Sequence, residues 1–237
     1  MVEPFVAVAQ WFTGAVKVIA ANFTFLVVQG FFGVGGFAGG TLRLAVPAIV
    51  LGFLLGIFVG LGRLAAAPWI RLPATIYVEF FRGVPLVMVI FWFWIIIPQL
   101  LRIRIPEYGV ALTAFVIFEA AYFGEIVRAG VQSVPRGQVE AARALGLTGS
   151  QAMRFAILPQ ALRNMAPSLV TQMIVLFKDT SLASIIGYVD LTKAAQIVNN
   201  REIRPFELYL FIAVVYWACT YSMSRVARRF EQRLSPA

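Results

Sequence analysis

Long apolar runs alternate with short polar interruptions along the chain, and the runs have membrane-spanning length. Five are legible: about Thr41 to Leu61, Thr75 to Pro98, Tyr108 to Arg128, Pro167 to Tyr188 and Pro205 to Met223. A helix needs about 20 apolar residues to cross the hydrocarbon core. The longest polar interruption near the middle of the chain runs from Ser133 to Pro159. Ser133 can cap a helix there, with Pro135 in the first turn. Ala141, Ala142, Ala144 and Leu145 favour helix, and Gly146 ends it. Thr148 or Ser150 can cap a second short helix, which stops or kinks at Pro159. The pattern predicts a helix, a glycine turn and a second helix, too ordered for a mere connector and too polar for lipid. Residues 1–40 are less regular, dense in aromatics such as Trp11, Phe12, Phe31 and Phe32, with glycines crowding their end. They read as an interfacial or partly inserted segment, or as one extra span, ahead of a membrane domain over residues 41–237.

Composition agrees with a bilayer. Of the 237 residues, 60% are hydrophobic and 13% charged, where a soluble domain carries about a quarter charged residues. The net charge of +9 does not mark a nucleic-acid patch, because the basic residues sit between apolar runs as topology signals do. There is no histidine, and the one cysteine, Cys219, lies in an apolar run. Neither a disulfide framework nor a cysteine metal cluster is therefore expected within one chain. The start, Met-Val-Glu-Pro, lacks a positive region before an apolar core, so no cleavable signal peptide is expected. Gly33-Val34-Gly35-Gly36-Phe37-Ala38 loosely matches a dinucleotide fingerprint. It lacks a surrounding βαβ unit, and no acid occurs between Glu3 and Glu79. No G-x-x-x-x-G-K-[ST] pattern occurs, so this chain does not hold ATP through a P-loop.

Charges inside the runs are the candidate chemistry. Lys178 and Asp179 fall near the middle of the fourth run, followed by Thr180 and Ser181. Glu119 lies about 13 Å inside Arg128 at 1.5 Å per residue. Glu79 and Arg82, and Glu125 and Arg128, are spaced to pair on one helix face. A charge at the bilayer centre costs at least about 2.5–3.5 kcal/mol, so these side chains face a partner, the bundle interior or a watery path. Two readings stay open for Lys178 and Asp179. They pack against other helices, or they line a substrate path in which a lysine suits a carboxylate.

Glu140-Ala141-Ala142, three residues, Gly146, nine residues and Ala156-Ile157-Leu158-Pro159 together resemble the EAA loop of ABC importer permeases. Ala156 stands where isoleucine is usual. Phe80-Phe81-Arg82-Gly83-Val84-Pro85-Leu86 and Lys178-Asp179-Thr180-Ser181-Leu182 resemble segments of permeases for polar amino acids. Phe81 to Val89 and Phe118 to Tyr122 look most like permeases for glutamate and aspartate. The resemblance implies an all-α integral membrane fold, a type I ABC importer-like bundle of about five transmembrane helices. Its cytoplasmic coupling loop at 133–159 would dock on a separate ATPase through Glu140, Ala141, Ala142, Arg143, Gly146, Leu158 and Pro159. A substrate path would use Lys178, Asp179, Thr180 and Ser181, with Glu119 and Arg82. The implied partners are a dimer of ATP-binding subunits carrying ATP and Mg, a second permease, identical or homologous, and an external solute-binding protein. No cofactor is expected in this chain, and no bond chemistry. The function implied is ATP-driven import of polar, acidic amino acids. The alternative, a secondary transporter or channel with no ATPase, leaves the arginine-flanked loop unexplained.

Arginine is richest after the first run, around the EAA loop and in the tail at Arg225, Arg228, Arg229 and Arg233. The positive-inside rule makes that side cytoplasmic. A multi-pass chain in the bacterial cytoplasmic (inner) membrane is expected, with its C-terminus inside and N-terminus outside. Arg102 and Arg104 fall on the opposite side. A sixth span near the N-terminus would move only that terminus inside.

Overall fold

Backbone groups in lipid must bond to one another, and a helix satisfies them locally. The structure is a computed structural model that describes residues 3–34 and 39–234, and no strand occurs among them. Helix α1 (Glu3–Ala21) leads into π-helical turns at Thr24–Phe32, with a bend of 57° between them. Then come α2 (Thr41–Leu64) and α3 (Pro68–Gly83). Helix α4 (Leu86–Phe91), π turns at Trp92–Ile96 and α5 (Ile97–Leu101) follow as one run. Helix α6 (Glu107–Gln132) precedes the short helices α7 (Arg136–Ala144) and α8 (Gly149–Ala152). After π turns at Met153–Ile157, α9 (Leu158–Asp179) tightens into a 3-10 turn at Thr180–Ile186. Helices α10 (Leu191–Glu202) and α11 (Pro205–Leu234) complete the chain. Among the described residues four helices are long and apolar enough to cross a membrane, or up to six if each of two bent pairs counts as one span. Gly35 to Ala38, most of the rejected dinucleotide pattern, lie outside the described residues.

Prolines account for most departures from the apolar pattern. The second run is not one continuous helix. It breaks at Val84-Pro85 into two helical stretches bent by 105°. Pro85 offers no N–H and forces Val84 into extended backbone, with φ −111° and ψ 149°. Pro159 does not stop its helix. The wider π turns at Met153–Ile157 precede it, and α9 runs straight on from Leu158. Pro167, where the fourth run was expected to start, sits inside α9. Lys178 and Asp179 are therefore at the end of α9 rather than mid-span.

The chain forms two compact units. One comprises Met1–Val46, Ile90–Leu112 and Phe177–Tyr221. Its interior is tied by backbone and hydroxyl bonds: Gly40 N–H donates to the Val189 carbonyl at 2.8 Å, Tyr188 Oη to the Gly40 carbonyl at 2.9 Å, and Leu191 N–H to Thr41 Oγ1 at 3.1 Å. Asp190, wholly buried, caps α10 by accepting from the N–H groups of Thr192 at 3.1 Å and Lys193 at 2.8 Å, and it also accepts from Tyr216 Oη at 3.2 Å.

The other unit comprises Pro47–Val89, Thr113–Leu176 and Ser222–Ala237. Here α2 meets α6 through small residues. A Cβ at Gly56 would fall 2.5 Å from Phe123 Cβ, and one at Gly60 would fall 2.6 Å from the Gly124 carbonyl oxygen. Lipid tails give helices no hydrophobic reason to associate, so close van der Waals approach through glycine is what holds such pairs. Val127, Val134, Ile157, Ala161 and Met165 form a buried apolar cluster, with Val139 of α7 packed against it.

Candidate functional site

Besides running on through Pro159, the polar elbow between α6 and α9 departs from the sequence pattern at its first cap. Ser133 does not cap α7. Its Oγ instead donates to the Gly130 carbonyl at 2.7 Å and accepts from Asn164 Nδ2 at 2.8 Å, while Pro135 stands at the helix entrance. A proline needs no capped N–H of its own, and its fixed φ suits helix entry. Helix α7 ends at a Schellman turn. Gly146, at φ +78°, donates its N–H to Arg143 O at 2.9 Å, and Leu147 donates to Ala142 O at 3.2 Å. Helix α8 opens on a capping box. Gln151 N–H donates to Thr148 Oγ1 at 3.4 Å, and Thr148 N–H donates to Gln151 Oε1 at 2.9 Å.

This elbow has a buried and an exposed face. Ala142 is 4% exposed and Val139 packs inward, three residues apart on one side of α7. Glu140, Ala141, Arg143 and Gly146 face outward, as do Leu158 and Pro159. Leu145, at the tip, is 82% exposed, and Phe155 lies 64% exposed under the Arg154 guanidinium.

The intramembrane charges separate into groups. Glu119 is wholly buried and accepts from Gln172 Nε2 of α9 at 2.8 Å. Lys178 is exposed, Asp179 half-buried, and among the described residues neither makes an ion pair within 4 Å. Thr180 is buried and donates to the Phe177 carbonyl at 2.7 Å, while Ser181 is half-buried. Arg82 does not pair with Glu79. It lies 3.9 Å from Glu125, with its guanidinium 5.7 Å from the Tyr122 ring centroid. Glu125 also bonds Arg63, and Arg128 Nε donates to it at 3.0 Å. The local Glu125–Arg128 pair was legible at three-residue spacing, but the contribution of Arg63 was not. Arg63 lies in the last turn of α2 and reads as a topology signal in the sequence. Gln172 was missed as well; its signal is a neutral polar residue inside an apolar run. Beside this cluster a cavity of about 260 Å³ is bordered by Glu125, Ser133, Asn164 and Ser168.

Spanning helices joined by a capped, outward-facing elbow define the class: a multi-pass membrane protein that offers a rigid handle outside the lipid. Residues 49–236 match the family described as the binding-protein-dependent transport system inner membrane component. The glutamate/aspartate import permease protein GltK of Escherichia coli O6:H1 is 41% identical over 200 residues, covering 81% of this chain and 89% of that protein. The probable glutamine ABC transporter permease protein GlnP of Bacillus subtilis is 40% identical over 196 residues, with the same 81% and 89% coverage. Among solved structures, the crystal structure of an amino acid ABC transporter with histidines superposes with a TM-score of 0.83 at 36% identity, over 90% of this chain and 96% of that one. The chain belongs to the permease subunits of ABC importers and has their type I fold. It is a multi-pass inner-membrane component, working with a second permease, and ATP hydrolysis resides on a separate subunit.

Proposed function

We propose that this permease carries polar amino acids, acidic ones among them, into the cell. The observation that carries the reading is its 41% identity, over most of both chains, to a permease named for glutamate and aspartate. An external solute-binding protein delivers the substrate, and the ATP-binding subunits, with their ATP and Mg, grip the elbow. Glu140, Ala141, Arg143 and Gly146 form the gripped face, Ala142 seats α7 on its own unit, and Leu158 with Pro159 sets the return into α9. What supports this is the exposed face of a doubly capped elbow, with Leu145 at its tip and Phe155 both exposed. Lys178, with an exposed ammonium and no ion pair among the described residues, takes the substrate carboxylate. Asp179, Thr180 and Ser181 flank it, and Glu119 and Arg82 are the further residues we assign to substrate handling. The C-terminus and the elbow face the cytoplasm and the N-terminus faces outward.

Uptake by the complete importer, reconstituted with its ATPase and binding protein, tests this reading. Labelled glutamate and aspartate should enter faster than arginine, and Lys178→Ala should lower acidic uptake more than it lowers the amount of assembled complex. A preference for arginine would overturn the acidic assignment. Parallel loss of uptake and assembly would make Lys178 a packing residue.

A further inference from the structure

Glu125 is the single carboxylate among four charges, and its partners come from three helices. Arg63 lies in the last turn of α2, Arg82 in the last turn of α3, and Arg128 one turn further along α6. Among the described residues these three arginines have no other carboxylate within 4 Å. Arg63 is largely buried in this arrangement, its side chain 13% exposed, and with its Nε unpartnered the bond to Glu125 is the one that satisfies its guanidinium. Arg128 approaches Glu125 through both Nε and a terminal nitrogen, a forked contact with a fixed direction.

The position of the cluster matters as much as its charge. Helix α6 ends at Gln132, and α7 begins at Arg136. Val127 and Val134 share one apolar cluster with Ile157, and Val139 of α7 packs on it. The end of α6 and the elbow are thus one packed body. Close packing at Gly56 and Gly60 already holds α2 against α6, but apolar contact alone is non-directional. Directed ion pairs to a shared carboxylate resist sliding.

We infer that Glu125 is a positioning residue for energy coupling: it locks the end of α2 to the end of α6, with Arg82 of α3 a looser third contact at 3.9 Å, so that movement of the elbow carries α2 together with α6. The inference rests on the elbow being the part that the ATPase grips. Glu125 touches no substrate in this role.

The test uses the complete reconstituted importer, with uptake and ATP hydrolysis measured on the same vesicles. Glu125→Gln keeps the volume and removes the charge. It should leave ATP hydrolysis within about twofold of wild type while amino acids moved per ATP fall at least about tenfold, the loss of one well-made charged contact. Arg63→Gln should act similarly, and the double substitution should be no worse than Glu125→Gln alone, because both remove one lock. Arg63→Lys, which keeps the charge, should retain more transport per ATP than Arg63→Gln. Uptake that falls only in proportion to assembled complex, or effects that multiply in the double variant, would overturn the role. Gly146→Val separates the two readings. If it uncouples transport and Glu125→Gln does not, the elbow stands and the lock falls. If neither uncouples, the elbow reading falls and takes the lock with it.

Discussion

At the residue scale, Asp190 shows how a buried acid trades one benefit against another. Burial pushes its carboxyl up from 3.8 to about 6, although the N–H groups of Lys193 and Thr192 and the hydroxyls of Thr192 and Tyr216 pull the other way. A raised carboxyl favours the protonated form in the folded protein. Its contribution is therefore most favourable below the unfolded value near 3.8, is lost as pH rises through about 6, and is level above that. The span from 3.8 to about 6 corresponds to roughly 3 kcal/mol at most. Asparagine caps helices as well as aspartate does but does not titrate. Asn offers one acceptor oxygen where Asp190 uses two, so its stability relative to wild type is set partly by that loss, but the difference should shift in favour of Asp190→Asn by about 1–3 kcal/mol from pH 4 to pH 6.5. Thermal unfolding of the purified complex across that range checks it; a difference that does not change with pH would mean that the carboxylate is not held in a desolvated site.

Elements are where glycine decides the packing. The approach of α2 to α6 leaves no space for a Cβ at Gly56, where the nearest atom would be Phe123 Cβ at 2.5 Å. Gly56→Ala should cost about 1–3 kcal/mol by overpacking. Gly137→Ala, in α7 with nothing within 4 Å of the added atom, should be neutral or stabilising by about 0.5–1 kcal/mol. Equal losses at the two positions in a detergent unfolding assay would show that helix contact is not what Gly56 serves. This scale also explains what was readable beforehand. The elbow was legible because its signals are local: Gly146 at the left-handed turn and Thr148 as a cap act within a few residues. Four of the five apolar runs fall on single long helices, because hydropathy needs no partner, although the start of the fourth was placed too late. Ser133 was misread because Pro135, two residues on, takes the helix entrance, and the hydroxyl is engaged by the Gly130 carbonyl and by the distant Asn164. The 105° break at Val84-Pro85 was only half visible, since proline says that a helix yields there but not which way the chain turns. Arg63 with Glu125, 62 residues apart, carried no local signal at all.

For the whole molecule the decisive property is orientation, because the elbow is useful to an ATPase only if it stands in the cytoplasm. Net charge of +9 is not spread evenly. Arg136, Arg143 and Arg154 lie in the elbow, and Arg225, Arg228 and Arg229 follow the last apolar run. Retention of arginine on the cytoplasmic side sets topology more strongly than acidic residues do. Arg102 and Arg104 oppose this arrangement. Cys219 is the only cysteine, and replacing it with serine gives a thiol-free chain in which Leu145→Cys places one reporter at the exposed tip. A membrane-impermeant maleimide should label that thiol in inside-out vesicles and not in intact cells. Assembly with the ATP-binding subunits should then slow labelling, because an 82% exposed side chain at the gripped face becomes covered. Labelling from intact cells alone would reverse the topology and leave the elbow out of reach of any cytoplasmic ATPase. Labelling from inside that assembly does not slow would keep the topology but place the grip elsewhere on the chain.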